Sequence, residues 1–197
     1  MPPLLLEGEA VKRVNSTKFL GVYVDENLNW NCQINEICLK LSRICGVLYR
    51  IRNSLTTEAL SSVHYTLCYP HLIYGVCIWA CMWPSFLNKV TVTQKKILRC
   101  MFFKRKFDTT EPIFTDHKIL KFSYIHKYFL FLFMFKIIRN FTGTRFFRLV
   151  NRSHNTRSNN VDIVSPKFRT TLFKHSILSF ATDLWNSLPV EIKKKSC

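Results

Sequence analysis

The chain has 197 residues, with 29 lysines and arginines against 12 aspartates and glutamates, and a formal net charge of +17. Hydrophobic residues make up 48% of the chain and aromatic residues 14%, which is enough apolar surface to exclude a disordered tail. Only 5 residues are glycine, which disfavours a Gly-rich nucleotide-binding fold or a barrel of many tight turns.

The basic excess belongs to the body of the chain. Residues 31–107 carry eleven basic and two acidic side chains, and residues 108–197 carry fifteen and six. A surplus of this size predicts a polyanionic partner, with nucleic acid the leading candidate. The alternatives are a merely basic exterior or a surface that meets anionic lipid.

The eight cysteines favour free thiols over a metal site. They lie at positions 32, 38, 45, 68, 77, 81, 100 and 197, and none forms a Cys-x-x-Cys pair. The nearest approach to a zinc cluster is the set Cys68, His71, Cys77 and Cys81, whose spacing fits known zinc sites only loosely. We therefore expect no metal, and buried thiols that act as small hydrophobic side chains.

The sequence shows neither a signal peptide nor a membrane-spanning segment. The first residues have no basic start, so we expect an intracellular location, cytoplasmic or nuclear. The longest apolar run is Tyr128–Phe135, far short of the roughly 20 residues that cross a bilayer. This run predicts a core helix that is buried on most sides.

Residues 1–30 predict β structure. Leu4–Leu6 and Ala10-Val11 flank a turn at Gly8, which is typical of a small hairpin. A polar break is predicted at 14–18, followed by a strand over 19–24 in which Gly21 indicates a bulge or the close approach of another backbone.

Residues 31–53 predict an amphipathic helix. Its apolar residues recur at i, i+3 and i+4 and fall within an arc of roughly 140°. Lys40, Arg43 and Arg50 fall within roughly 80° on the opposite side. Only Glu36 lies near them, so these cations are predicted to be unpaired and available to phosphates. The alternative is an ordinary solvated face.

Two more helices should complete a bundle. One begins near Thr56, with Leu60, Val63, Leu67 and Cys68 pointing inward, and is kinked or ended by Pro70. Pro84 opens the other, in which Lys95, Lys96 and Arg99 lie off the apolar stripe. Phe102, Phe103 and Phe107 interleave with further cations, so they either stack on bases or belong to the core.

The remaining residues predict a second helical unit. A long aromatic helix is expected over 122–140, a polar loop near 142–160, and a final helical region over 168–188. The predicted fold is mainly α: a short N-terminal β-hairpin (1–30), a three-helix bundle (31–107) and a second helical unit (108–197).

The residues indicate binding chemistry and no catalytic site. Transfer of nucleotides needs two or three carboxylates that converge on metal ions, but the chain has no Asp-Asp and no Asp-x-Asp. Motifs of hydrolases and phosphate-binding loops are also missing. Among the histidines, only His154 lies in a polar segment that could form a site.

Seven segments carry recognisable motifs in chain order: Val14–Asp25, Leu28–Trp30, Ile34–Arg50, Leu67–Trp79, Thr93–Arg99, Ser153–Arg157 and Leu184–Pro189. They include VNSTKFLGVYVD, LCYPHLIYG, SHNTR and LWNSLP. In this order they resemble the region that follows the catalytic palm in one protein family, the reverse transcriptases of non-LTR (LINE, jockey-like) retrotransposons.

The resemblance implies roles for parts of this chain. Phe19, Leu20 and Gly21 match the primer-grip hairpin, and residues 31–107 match the helical thumb that clamps a template–primer duplex. An RNA–DNA hybrid, or RNA or DNA, is then the expected partner. The family's Tyr-x-Asp-Asp turn, which uses magnesium, has no counterpart among these residues, so we expect a fragment that does not polymerise alone. A structural or membrane-surface protein, or a piece without function, is the alternative.

Overall fold

The computed structural model describes residues 5–81, 84–138, 162–165 and 167–195. Two antiparallel hairpins come first: β1 (Leu5–Leu6) pairs with β2 (Glu9–Ala10), and β3 (Ser16–Phe19) pairs with β4 (Val22–Asp25). The helices that follow are α1 (Asn31–Ile51), α2 (Thr57–Val63), α3 (Tyr69–Ile73), α4 (Val76–Trp79), α5 (Pro84–Met101), α6 (Glu111–Asp116), α7 (Phe122–Ile138), α8 (Thr171–Lys174), α9 (Ile177–Asn186) and α10 (Val190–Lys195). The predicted mainly α fold with an N-terminal hairpin is confirmed.

The second hairpin differs in detail from the prediction. The predicted polar break at 14–18 overlaps strand β3 at Ser16–Lys18, while Phe19, predicted to begin a strand, ends β3 instead, and Gly21 is not a bulge within one strand. Leu20 and Gly21 form the turn between β3 and β4, with φ of 46° and 82°. Positive φ at both central residues is the conformation that matches the twist of a two-residue hairpin. All of β3 is exposed, so turn geometry rather than side-chain burial defines this strand.

Helices α1 and α5 form the centre of the bundle, as their patterns predict. The buried side of α1 carries Ile34, Ile37, Leu41, Cys45 and Leu48. It packs on the predicted stripe of α5, where Val90, Ile97, Leu98 and Met101 are buried. Full burial of each large aliphatic side chain contributes about 1.5–3 kcal/mol, so this seam holds the two helices in a fixed register.

The segment between α2 and α3 contains a π-helical turn, His64–Cys68. The Thr56 hydroxyl accepts from Ala59 N–H at 3.3 Å and caps α2 as predicted. The helical path does not end at Pro70, because α3 continues to Ile73. The wider turn rotates the side chains that follow it. His64, at the start of this turn, is buried, whereas Leu67, predicted to point inward, is 44% exposed.

The chain beyond α5 joins the same core and then builds a second one. Ile113, Phe114 and Phe122 belong to the cluster that α1 and α5 begin. Leu130 and Met134 of α7 belong to a second cluster, with Ala181 and Trp185 of α9 as members. Burial of the aromatic run is less complete than predicted, since most of its other residues are half-buried. The predicted loop at 142–160 and His154 lie outside the described residues.

Candidate nucleic-acid interface

Two of the predicted cations share the outer face of α1. Arg43 and Arg50 are exposed and point away from the core. Within the described residues, neither forms an ion pair. They are seven residues apart, which on an α-helix is about two turns and roughly 10.5 Å along the axis. Two uncompensated guanidinium groups on one face can each meet a phosphate of a polyanion.

Lys40 differs from these arginines. Its Nζ lies 3.6 Å from Glu36 Oε1, one turn earlier on the same helix, so the prediction that it is unpaired is wrong. Burial lowers the pKa of His71 in α3, and the nearby charge of Lys40 adds to this effect. An exposed i,i+4 pair contributes only about 0.3–0.5 kcal/mol, so Glu36 holds the ammonium weakly.

A groove of about 470 Å³ runs between α1 and α5. It is lined by Ser42, Cys45, Gly46, Tyr49 and Arg50 from α1 and by Lys96 and Cys100 from α5. No atom lies within 4 Å of the position that a Cβ on Gly46 would take, so the groove is open there. Lys96 is exposed and joins Arg50 along it. We call this groove, together with Arg43 on the adjoining face of α1, the basic groove.

The floor of the basic groove consists of thiols. Cys100 Sγ lies 3.7 Å from the carbonyl oxygen of Cys45. Burial raises the pKa of the Cys45 thiol to about 11, and the neighbouring Cys100 adds to this, while the charges of Lys96 and Arg52 oppose it. The Cys45 thiol is therefore protonated at physiological pH and places no negative charge beneath the cations of the groove.

Lys95 and Arg99 are close in sequence to Lys96 but lie on the other flank of α5, away from the basic groove. Arg99 Nε donates to the carbonyl oxygen of Asp108 at 2.9 Å and so holds the connection between α5 and α6. A hydrogen bond from Lys121 lowers the pKa of Glu111, and the charge of Lys95 contributes. The structure thus brings Lys96 to the groove, whereas Arg99 bonds to the backbone beyond α5 and neither Arg99 nor Lys95 lines the groove.

The predicted hairpin residues form an exposed tip. Phe19 is 67% exposed and Leu20 is 76% exposed. Tyr74 donates its hydroxyl to the carbonyl oxygen of Leu20 at 2.5 Å, and its ring lies 3.4 Å from the place of a Cβ on Gly21. The Trp79 indole in turn donates to the Tyr74 carbonyl oxygen at 2.8 Å. The tip is therefore docked on the corner between α3 and α4. Tyr74 and Trp79, which hold it there, lie in the resembling segment Leu67–Trp79.

The other end of the hairpin is tied to α1. Tyr23 N–H donates to Gln33 Oε1 at 2.9 Å. Asp25 Oδ1 accepts from the backbone N–H groups of Asn27 and Asn29 at 3.1 and 3.0 Å, which shapes the turn that leads into the helix. Gln33 is buried, and sequence reasoning missed it because a polar residue beside an apolar stripe is usually read as solvent-facing.

The three phenylalanines after α5 have different environments. Phe102 stacks on the His117 ring with centroids 3.8 Å apart and packs against the core. Phe103 is 58% exposed and Phe107 is 88% exposed. Arg52, which the sequence did not single out, lies against Phe103. Its guanidinium carbon is 4.6 Å from the ring centroid.

The cysteines of the described residues are free. Burial raises the pKa of the Cys68 and Cys81 thiols to about 12, so both remain protonated. In the described part of the chain, no three His, Cys, Asp or Glu side chains are grouped so that they could hold a metal ion. Nor does any helix there have the length and apolar character needed to cross a membrane.

Two curated proteins of Drosophila melanogaster resemble this chain. One is the probable RNA-directed DNA polymerase from transposon X-element, 26% identical over 111 residues, or 53% of this chain and 12% of the relative. The other is the RNA-directed DNA polymerase from mobile element jockey, 26% identical over 124 residues, or 61% of this chain and 13% of the relative. This chain is similar to retrotransposon RNA-directed DNA polymerases. The resemblance predicted from the motifs is confirmed.

The similarity to retrotransposon polymerases is limited in extent. The chain spans about an eighth of the length of the curated relatives it matches. No protein-family model matches it, and no solved structure matches it significantly.

Proposed function

We propose that this segment binds the backbone of a nucleic-acid duplex through the basic groove, as the thumb-like part of a retrotransposon RNA-directed DNA polymerase. An RNA–DNA hybrid is the proposed ligand, with RNA or DNA duplexes as related ones. The segment contributes binding rather than nucleotide addition, and its contacts need no cofactor. By its resemblance to the primer grip, the tip at Phe19, Leu20 and Gly21 is proposed to contact the end of the bound strand.

One observation carries this proposal. Arg43, Arg50 and Lys96 come from two helices, are exposed and form no ion pair within the described residues, and two of them line an open groove that has no acidic side chain among its lining residues. Cations arranged in this way contact phosphates, which position a protein on a duplex without reading its sequence. Because the chain is similar to polymerases, we propose a nucleic-acid duplex as the polyanion that it binds.

The test is a titration of a fluorescein-labelled RNA–DNA hybrid by anisotropy between 50 and 200 mM salt. The triple variant R43Q/R50Q/K96Q removes three phosphate contacts. At about 0.9 counterions released per contact, the slope of log K against log salt should fall in magnitude by about 2.7. Near 0.1 M salt this corresponds to a loss of affinity on the order of 10²-fold. Binding should be unaffected by EDTA and by hybrid sequence.

The matched control is K127Q/K136Q/K174Q, which removes three exposed lysines on α7 and α8. Both variants lose the same net charge, so only the position of the charge differs. An equal change of slope in the two triple variants would contradict the proposal, because binding would then depend on general charge. Co-sedimentation with anionic vesicles, without hybrid binding, would support the membrane-surface alternative instead.

A further inference from the structure

Phe103 has an unusual backbone conformation for its side chain. Helix α5 ends at Met101, and Lys104 N–H donates to the Arg99 carbonyl oxygen at 2.9 Å, which closes the helix end. Phe103 lies within this closure at φ 53°. Left-handed residues after a helix are usually glycine, because a bulky side chain is unfavourable there. The ring is also 58% exposed, so burial does not compensate for this conformation.

Arg52 holds the Phe103 ring in place from the end of α1. Its guanidinium carbon lies 4.6 Å from the Phe103 ring centroid and 4.4 Å from that of Tyr49. Its Nη1 donates to the Cys100 carbonyl oxygen at 2.9 Å, which fixes the guanidinium between the two helix ends. Tyr49 is 62% exposed. The exposed rings of Tyr49 and Phe103 thus both pack against the guanidinium group of Arg52, which its hydrogen bond holds in place.

The position of these rings relates them to the basic groove. Tyr49 is a lining residue of the groove together with Arg50 and Lys96. A strand whose phosphates follow these cations therefore passes beside the rings. Exposed aromatic rings next to phosphate-binding cations are the arrangement by which proteins stack single-stranded bases, and arginine adds a cation–π contribution.

We propose that Tyr49, Arg52 and Phe103 form an aromatic platform that stacks an unpaired base of the nucleic acid held in the basic groove. The ligand is a hybrid duplex with a single-stranded extension. This inference rests on the proposed function and adds to it a preference for a junction between duplex and single strand. A strained residue that keeps an exposed ring in place is the kind of outlier from which a functional role is inferred.

The experiment compares two RNA–DNA hybrids with the same duplex. One is blunt, and the other carries a four-nucleotide DNA extension with 2-aminopurine at its first unpaired position. The wild-type chain should bind the extended hybrid about 5- to 150-fold more tightly, the range for one base stacked on an aromatic side chain. The 2-aminopurine fluorescence should be quenched on binding.

Variant F103L keeps an apolar side chain but removes the aromatic face. It should bind both hybrids with equal affinity, without quenching and with the blunt-hybrid affinity of the wild type. Phe107 gives the matched control: it is exposed, four residues away, and lies against Lys106 rather than the groove. F107L should keep the preference and the quenching. Melting curves of both variants should match the wild type and so exclude unfolding.

The outcomes separate this inference from the proposed function. Equal wild-type affinities for the two hybrids would overturn the platform but leave the binding of the blunt hybrid and its salt dependence intact. An equal loss of preference in F103L and F107L would also overturn it. Absence of blunt-hybrid binding by the wild type would instead contradict the proposed function.

Discussion

Gly75 is the residue at which the second hairpin meets the helices, and replacing it with alanine should destabilise the protein. Its φ is 62°, a left-handed conformation that costs an L-residue about 1–2 kcal/mol. The added Cβ would stand 3.3 Å from Val22 Cγ2 and 3.6 Å from Trp79 Cδ1. Both neighbours are buried, so relieving this contact costs about 1 kcal/mol or more. We expect Gly75→Ala to lower the free energy of unfolding by about 2–4 kcal/mol.

Gly46 offers the same substitution with the opposite expectation. It lies inside α1, and a Cβ there would meet no atom within 4 Å. Alanine loses less backbone entropy than glycine in a helix, so Gly46→Ala should stabilise the protein by about 0.5–1 kcal/mol. Both variants add the same methyl group, so a difference between Gly75→Ala and Gly46→Ala reports the backbone conformation and the space around each glycine.

Urea unfolding followed by circular dichroism at 222 nm measures both effects. With a slope of about 1–3 kcal/mol per molar urea, Gly75→Ala should lower the midpoint by roughly 1 M or more, and Gly46→Ala should raise it by a few tenths. A midpoint that rises in Gly75→Ala, or shifts in the same direction in both variants, would refute the account of how the hairpin is docked.

Two further predictions concern buried polar groups. Burial lowers the pKa of His64 and of His126 to about 4, so the folded protein resists the protonation that the unfolded chain accepts near pH 6.5. The free energy of unfolding should therefore keep its full value above pH 6.5 and should fall below it, by about 2 kcal/mol per histidine at pH 5. Urea unfolding at pH 7.5 and at pH 5 tests this. His64→Leu should remove the part of the pH dependence that comes from His64. Gln94 accepts from Phe122 N–H at 2.9 Å and donates to the Leu120 carbonyl oxygen at 2.8 Å, both through its side-chain amide. Gln94→Leu leaves these main-chain groups without partners and should cost about 2–5 kcal/mol, so a loss below about 1 kcal/mol in urea would contradict this role.

The sequence predicts the elements whose formation depends on local patterns. Helix α1 repeats apolar residues on one face for five turns, Thr56 supplies a hydroxyl before α2, and Pro84 begins α5. Each of these signals acts within one or two turns of chain, and the structure contains all three elements. The cations Arg43 and Arg50 are predictable for the same reason, since the face opposite a buried stripe must point to solvent.

Features that depend on distant contacts are not predictable in this way. Helical periodicity places both Lys95 and Lys96 off the apolar stripe of α5. Which of the two faces the groove depends on which flank of α5 packs on α1, and the sequence does not show this. The exposure of Leu67 coincides with a π-helical turn, for which the apolar pattern carries no signal. Phe103 takes a conformation that its residue type disfavours, so propensity points away from it.

The two buried glutamines have a consequence for how this protein can change. Gln33 holds the backbone of Tyr23, and Gln94 holds the backbone between Leu120 and Phe122. Main-chain atoms are the same for nearly every amino acid, so these attachments survive replacement of the side chains that they hold in place. These two attachments of the hairpin and of the start of α7 therefore do not depend on which side chains stand at positions 23, 120 and 122, provided that the two amides are retained.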